Sequence, residues 1–180
     1  MTNICVLGVT CSGKSTYCEK LKDDYADRDR PRPILLRMGR FFRDTIGPDF
    51  FAELDSPAAP DATEMWVRNM VWNAQTFAYN YKRDIIIDGF PRTKEQFEWF
   101  MLSSLVGSKN SPVEIVYLSV AEGVLESRIN RRRVDCVSSA SMRLLDARVK
   151  KDAALMMQVH DAIQKSKYKY PNLIFKELEL

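Results

Sequence analysis

The sequence predicts a doubly wound α/β fold, and three observations carry that prediction. The apolar run Ile4–Leu7 leads directly into Gly8-Val9-Thr10-Cys11-Ser12-Gly13-Lys14-Ser15, which has the spacing of a phosphate-binding loop set between a buried strand and a helix. Ile85–Ile87 and Glu114–Leu118 read as continuous apolar strands, which belong in a parallel sheet covered on both faces. Strand-like and helix-like patterns then alternate from one end of the chain to the other.

In order, Ile4–Leu7 is the first strand and Lys14 to about Tyr25 the first helix, with Tyr17, Cys18 and Leu21 facing inward. Asp27 to Pro33 is a charged loop punctuated by proline, and Pro33 brakes the chain before the short strand Ile34–Leu36. A helix is expected over Gly39–Thr45, then an irregular stretch rich in Pro, Gly and Asp as far as Pro60. From Asp61 the pattern is helical again, with Asp61, Thr63 and Glu64 in the first turn. Its stripe of Trp66, Met70, Phe77 and Tyr81 is expected in the core or in the wall of a substrate cleft. Ile85–Ile87 runs into Asp88, the Gly89-Phe90-Pro91-Arg92 segment turns, and a helix resumes over Lys94–Leu102. After the strand Glu114–Leu118, Glu122 to about Arg132 is helical. Leu144–Lys165 is a long amphipathic helix with Leu145, Val149, Met156, Val159 and Ile163 inside, and Leu173–Phe175 closes the sheet.

The glycine spacing has a physical reason. Glycines let the backbone curl so that successive N–H groups point inward, and the helix that follows adds its unpaired N-terminal donors. Lys14 can then reach the outer phosphates of a triphosphate, while the Ser15 hydroxyl can ligate Mg²⁺. Asp88, at the end of an apolar strand, is placed to hold the same ion directly or through water; a cap for the turn after it is the lesser reading, more so beside the loop at Gly8.

Composition bounds the remaining choices. With 180 residues, 46% hydrophobic and 28% charged, the chain suits one soluble domain with a sizeable core. No apolar run reaches the length of a membrane span and no secretory leader is apparent, so a cytoplasmic protein without a membrane partner is expected. Cys5, Cys11, Cys18 and Cys136 lack the paired spacing of a zinc site and are read as free thiols, mostly buried. Cys11 is the exception, since a loop of inward N–H groups beside Lys14 would stabilise its thiolate. A net charge of +3 makes the whole chain a poor polyanion binder, although Arg128, Arg131, Arg132, Arg133, Arg143 and Arg148 crowd one segment. That cluster can be a solvated helix face, a nucleic-acid patch or a phosphate clamp over a nucleotide. His160, alone on a helix, is read as structural.

Asp88-Gly89-Phe90-Pro91-Arg92-Thr93, followed by Gln96, resembles the signature of adenylate kinases and the wider nucleoside monophosphate kinase family, at a similar distance from the phosphate-binding loop. The resemblance implies a P-loop three-layer fold with a five-stranded parallel sheet, an NMP-binding insertion at about 37–83 and a short lid at about 128–148. The core would be 1–36, 84–127 and 149–180. It further implies ATP bound by Cys11, Ser12, Gly13, Lys14, Ser15 and Thr16, with Mg²⁺ at Ser15 and Asp88. Met38-Gly39-Arg40-Phe41-Phe42-Arg43 looks like the family's Thr-Gly-Asp-x-x-Arg segment, so Met38, Gly39 and Arg43 join Gly89, Arg92 and Gln96 at the acceptor monophosphate. There Arg43 and Arg92 would hold the phosphate, Gln96 would bond the base, and Gly89 would leave room for it. Arg128-Ile129-Asn130-Arg131-Arg132 is similar to the Arg-x-x-x-Arg entry to the lid, with Arg128 stacked on the donor adenine and Arg132 on the transferring phosphate. Arg148, in competition with Arg143, would be the last lid arginine. The arginines are thereby explained without a stable nucleic-acid complex.

Two departures bear on specificity. Met38 stands where Thr is usual, and Arg40 replaces an acidic residue. The implied activity is reversible phosphoryl transfer from Mg-ATP to AMP or dAMP by a monomer. The alternatives are a CMP, UMP or deoxynucleotide kinase, a nucleotide-binding regulatory protein of the same fold, and a nucleic-acid end kinase.

Overall fold

The structure, a computed structural model, describes residues 1–27, 30–39, 41, 60–107, 111–134 and 139–180. Its strands β1 (Asn3–Leu7), β2 (Ile34–Arg37), β3 (Ile85–Asp88), β4 (Val113–Ser119) and β5 (Leu173–Glu179) form one sheet in the order β2-β3-β1-β4-β5, every pairing parallel. Between them run helices α1 (Lys14–Asp27), α2 (Pro60–Asn80), α3 (Lys94–Gly107), α4 (Glu122–Val134) and α5 (Ser139–Ser166). This is the three-layer α/β arrangement expected.

Strand periodicity divides the core into two layers. Cys5, Leu7, Ile85, Ile87 and Ile115 face one side, where Val67 of α2, Phe97 of α3 and Met156 of α5 cover them. Ile4, Val6, Ile86 and Val116 face the other side, against Cys18 and Tyr25 of α1. Both faces of the central strands are therefore sealed, which is why their sequence is apolar without alternation. Because the strand order departs in opposite directions from β1, a crevice opens at the C-terminal ends of the strands, where α/β sheets bind ligands. Register places Val6 and Arg37 on either side of Asp88, so the phosphate-binding loop and the ends of β2 and β3 meet at that crevice.

Several element boundaries differ from expectation. Helix α5 begins at Ser139 rather than Leu144, α3 continues to Gly107, and β5 runs on to Glu179 as an edge strand beside β4. The inward face of α2 also differs. Trp66, Phe77 and Tyr81 are exposed, while Val67, Val71 and Ala78 are buried and Met70 packs partly against the core. The aromatic stripe and the buried stripe are one residue out of phase, and the smaller side chains are the ones that seat the helix on the core. Phe77 and Tyr81 instead stack on one another outside, with ring centroids 4.4 Å apart. Of the helix expected at Gly39–Thr45, Gly39 and Phe41 are helical, as is Met38 before them, and the remainder lies outside the described residues.

Among the described residues no helix is long and apolar enough to cross a membrane. His160 is held edge-on against Tyr117 and Phe175 with Nε2 on the Glu177 carboxylate, the structural role expected of it.

Candidate active site

The loop between β1 and α1 curls because three of its residues adopt positive φ: Gly8 (148°), Cys11 (68°) and Gly13 (94°). A side chain at Gly8 would place its Cβ 2.7 Å from Ser12 Oγ and 2.8 Å from the Leu118 carbonyl, so glycine is needed there for space as well as for backbone conformation. Cys11 has no such freedom, and its left-handed backbone stores about 1–3 kcal/mol of strain, as is common in ligand-binding loops. Gly8→Ala is expected to cost about 2–3 kcal/mol and to lower the melting temperature by about 5–10 °C, measured by calorimetry. An unchanged melting temperature would mean that the strand-to-loop junction is not tight.

At the mouth of this loop Lys14 Nζ donates to the carbonyls of Gly8 (2.6 Å) and Val9 (2.7 Å). The Ser15 hydroxyl donates to Asp88 Oδ2 at 2.6 Å, joining the first turn of α1 to the end of β3. A hydroxyl and a carboxylate oxygen side by side are hard donors, and so small a protein set fits Mg²⁺, which keeps several waters and takes its other ligands from phosphate.

Helix α4 buries none of its residues, and its arginines divide by position. Arg128 Nη1 donates to the Ser12 carbonyl at 3.0 Å, and Arg132 Nη1 lies 3.9 Å from Cys11 Sγ, so both reach the loop. Arg133 turns the other way and pairs with Asp146 of α5 at 2.7 Å. Arg92 follows the turn after β3, whose Gly89 has φ +79°. Its Nε donates to the Gly89 carbonyl at 3.3 Å, and its Nη1 stands 3.8 Å from Asp152 Oδ1. Phe90, Phe97 and Phe100, all fully buried, anchor this turn and α3 in the core.

The loop, Ser15, Asp88, Arg92, Arg128 and Arg132 line one cleft of about 700 Å³, within the usual range of about 300–1,000 Å³ for small-molecule sites. Lys14, Arg37, Arg92, Arg128 and Arg132 face it against the carboxylates of Glu19 and Asp88. The walls are cationic, as a site for several phosphates requires.

The expected residues are distributed as follows. Cys11, Gly13, Lys14, Ser15, Thr16, Gly39, Asp88, Gly89, Arg92, Arg128 and Arg132 line the cleft. Ser12 is buried beneath the loop. Met38 is also buried and packs in the core, so at this segment the cleft wall is Gly39. Gln96, nearly buried, stands behind Arg92, accepting the Arg92 N–H on Oε1 at 2.8 Å. Arg43 and Cys136, together with the side chains of Arg143 and Arg148, lie outside the described residues.

Two groups were missed by sequence reasoning. Arg37 ends β2 beside Asp88 and reaches across to Glu19 of α1; a charged residue closing an apolar strand, as Asp88 does, was the available signal. Asp152, a nearly buried carboxylate of α5, accepts the Thr10 hydroxyl on one oxygen and stands beside Arg92 with the other. It therefore ties the phosphate-binding loop to the turn carrying Arg92. Its signal is that it interrupts the apolar face of α5 between Val149 and Met156.

The cysteines fall into two kinds. Burial raises the Cys18 thiol far above its ordinary value, with the Asp88 carboxylate adding to the effect, and burial followed by Cys18 does the same for Cys5. Both are protected from alkylation. Cys11 is half-buried at the cleft.

A family model described as an AAA domain matches residues 7–144. Among curated proteins, an adenylate kinase of Salinibacter ruber is 28% identical over 131 residues, which is 72% of this chain and 58% of that protein. The chain thus spans little more than half the length of the curated relative it matches. The family match begins at Leu7, the last residue of β1, and takes in the phosphate-binding loop, the Asp88–Arg92 turn and α4, the segments that build the cleft. Sequence match and cleft geometry agree: the chain belongs to the AAA domain family and is similar over most of its length to an adenylate kinase.

Proposed function

We propose that the protein transfers a phosphoryl group reversibly from Mg-ATP to a nucleoside monophosphate, AMP or dAMP first. The observation that carries this reading is the cleft itself. It gathers the phosphate-binding loop, two arginines of α4 and Arg92 from three distant parts of the chain around a space large enough for phosphates to meet.

Phosphoryl transfer asks little covalent chemistry of a protein; it needs alignment, neutralisation of spreading charge and exclusion of water. Lys14 and the loop amides take the donor phosphates, while Arg128, which reaches the loop at Ser12, stacks on the donor adenine in this reading. Arg132, near Cys11, takes the phosphoryl group in flight. Arg92, joined by Arg43, takes the acceptor phosphate. Arginine suits these positions because its planar fork grips phosphate oxygens two at a time and keeps its charge. Ser15 and Asp88 would hold Mg²⁺, which when bound would supply charge neutralisation at the donor phosphates. Residues about 37–83 are proposed as the acceptor-binding insertion and about 128–148 as a short lid, with Arg148 as its last arginine. Their closure would complete the site and exclude water.

The test is a coupled ADP-release assay with Mg-ATP against a panel of ribo- and deoxyribonucleoside monophosphates. Turnover with AMP or dAMP at rates well above ATP hydrolysis is expected. Tight ATP binding with no monophosphate phosphorylated would overturn the reading. Cys11 supplies a second check, since a mild alkylating reagent should modify it, and ATP should slow that modification by about tenfold or more, followed by mass spectrometry of the loop peptide. Equal labelling with and without ATP would remove Cys11 from the donor site.

A further inference from the structure

A carboxylate sits on the core-facing stripe of α5. Asp152, Met156, Val159 and Ile163 recur at the spacing of one helix face, and all four are buried. A charge at such a position is costly unless its oxygens are paired. The two oxygens of Asp152 go to two distant parts of the chain. Oδ2 accepts the hydroxyl of Thr10 in the phosphate-binding loop, and Oδ1 stands 3.8 Å from Arg92 Nη1 in the turn after β3. Thr10 is buried as well, and both Thr10 and Arg92 line the cleft, so Asp152 reaches the cleft through these two residues. The Arg92 guanidinium is thereby held at two points, by the Gly89 carbonyl on Nε at 3.3 Å and by Asp152 on Nη1. The first contact ties it to its own turn. Only the second refers it to the loop that would receive donor phosphates. An apolar residue on this stripe would seat α5 about as well as a buried ion pair does, so the carboxylate is not explained by stability.

Resting on the kinase reading above, we propose that Asp152 is a positioning residue for the transfer step, fixing the Arg92 guanidinium relative to the phosphate-binding loop through Thr10. Transfer between two bound phosphates depends on in-line approach, and a misplacement of about 1 Å can cost about 10²-fold in rate. An arginine on a flexible stem holds its head in one place only where a partner fixes it. Here that partner is itself anchored in the loop, so the position of Arg92 follows the loop rather than its own turn alone. The same charge has an opposite effect on binding. Asp152 competes with an incoming phosphate for the guanidinium, so it opposes acceptor affinity while serving alignment. Its removal should therefore lower kcat without raising the KM of the monophosphate, a split that a loosened fold would not produce.

The experiment uses Asp152→Asn, which keeps the size of the side chain and an oxygen for the Thr10 hydroxyl but withdraws the charge from Arg92. In the ADP-release assay, with the monophosphate the wild type uses best, kcat should fall on the order of 10²-fold. The KM of that monophosphate should stay level or drop, and ATP affinity measured by calorimetry should be unchanged. Thr10→Val approaches the contact from the other end, keeping the shape and removing the hydroxyl, and should give the same loss in kcat with ATP affinity retained. A double-mutant cycle then asks whether Asp152 acts through Arg92: in the Arg92→Ala background, Asp152→Asn should add less than about threefold. Losses that multiply in the double variant overturn the inference and leave the kinase reading intact. So does a parallel loss of kcat, monophosphate binding, ATP binding and melting temperature, or a kcat for Asp152→Asn close to that of the wild type. Should Asp152→Asn fail to fold, an unchanged kcat for Thr10→Val overturns it equally. If the wild type phosphorylates no monophosphate, the kinase reading falls and the inference falls with it.

Discussion

Arg92→Ala is expected to lower turnover in the ADP-release assay by about 10³-fold or more, the scale on which removing a transition-state arginine acts. The side chain is 38% exposed at the cleft, and its guanidinium is aimed by the Gly89 carbonyl and by the Asp152 carboxylate. Deleting it would remove the proposed phosphate ligand but little buried apolar surface, so thermal stability should hardly change. Arg92→Lys should recover a minor part of the loss, because an ammonium keeps the charge without the fork. Turnover within threefold of wild type for Arg92→Ala would remove this residue from the acceptor site. The Asp152 contact leaves a finer signature, since a group that aims Arg92 should matter more for kcat than for ATP binding.

Lys14→Met should cost about 10²- to 10³-fold in turnover, the range seen when one pre-organised donor to developing negative charge is removed. Methionine retains most of the aliphatic stem, so the loss can be assigned to the ammonium. In the structure that ammonium lies against the carbonyls of Gly8 and Val9, at the rim of the loop where donor phosphates would enter. ATP affinity, measured by calorimetry, should weaken alongside turnover, because the same charge meets the triphosphate in the ground state. A variant that binds and turns over ATP normally would show that Lys14 serves the loop's own structure.

Much of the site was legible before any fold was known. The backbone path around an anion requires Gly8 and Gly13, so the requirement appears in sequence at a fixed spacing. Asp88 was equally visible, since a carboxylate at the end of Ile85–Ile87 stands out against its neighbours. The buried face of α2 was less legible. Large aromatics recur there at helical spacing, yet Val67, Val71 and Ala78 are the residues buried, because the fit of a helix to its support depends on both surfaces. Asp152 and Glu64 illustrate the same limit. Each reads as a charge on a helix, and neither shows its partner until Thr10 and Arg92, or Gln96 and Arg68, are brought alongside.

The sequence by itself determined the parallel α/β layering, the phosphate-binding loop and the identity of the Asp88–Arg92 turn, because those depend on local periodicity and on backbone conformations that few residues tolerate. Only the tertiary structure decided that Arg128 and Arg132 reach the loop while Arg133 does not, that Arg37 joins the cleft, and that a buried carboxylate links the loop to Arg92. A charged side chain's role is set by the charges it meets, and over most of this chain those partners lie far away in sequence.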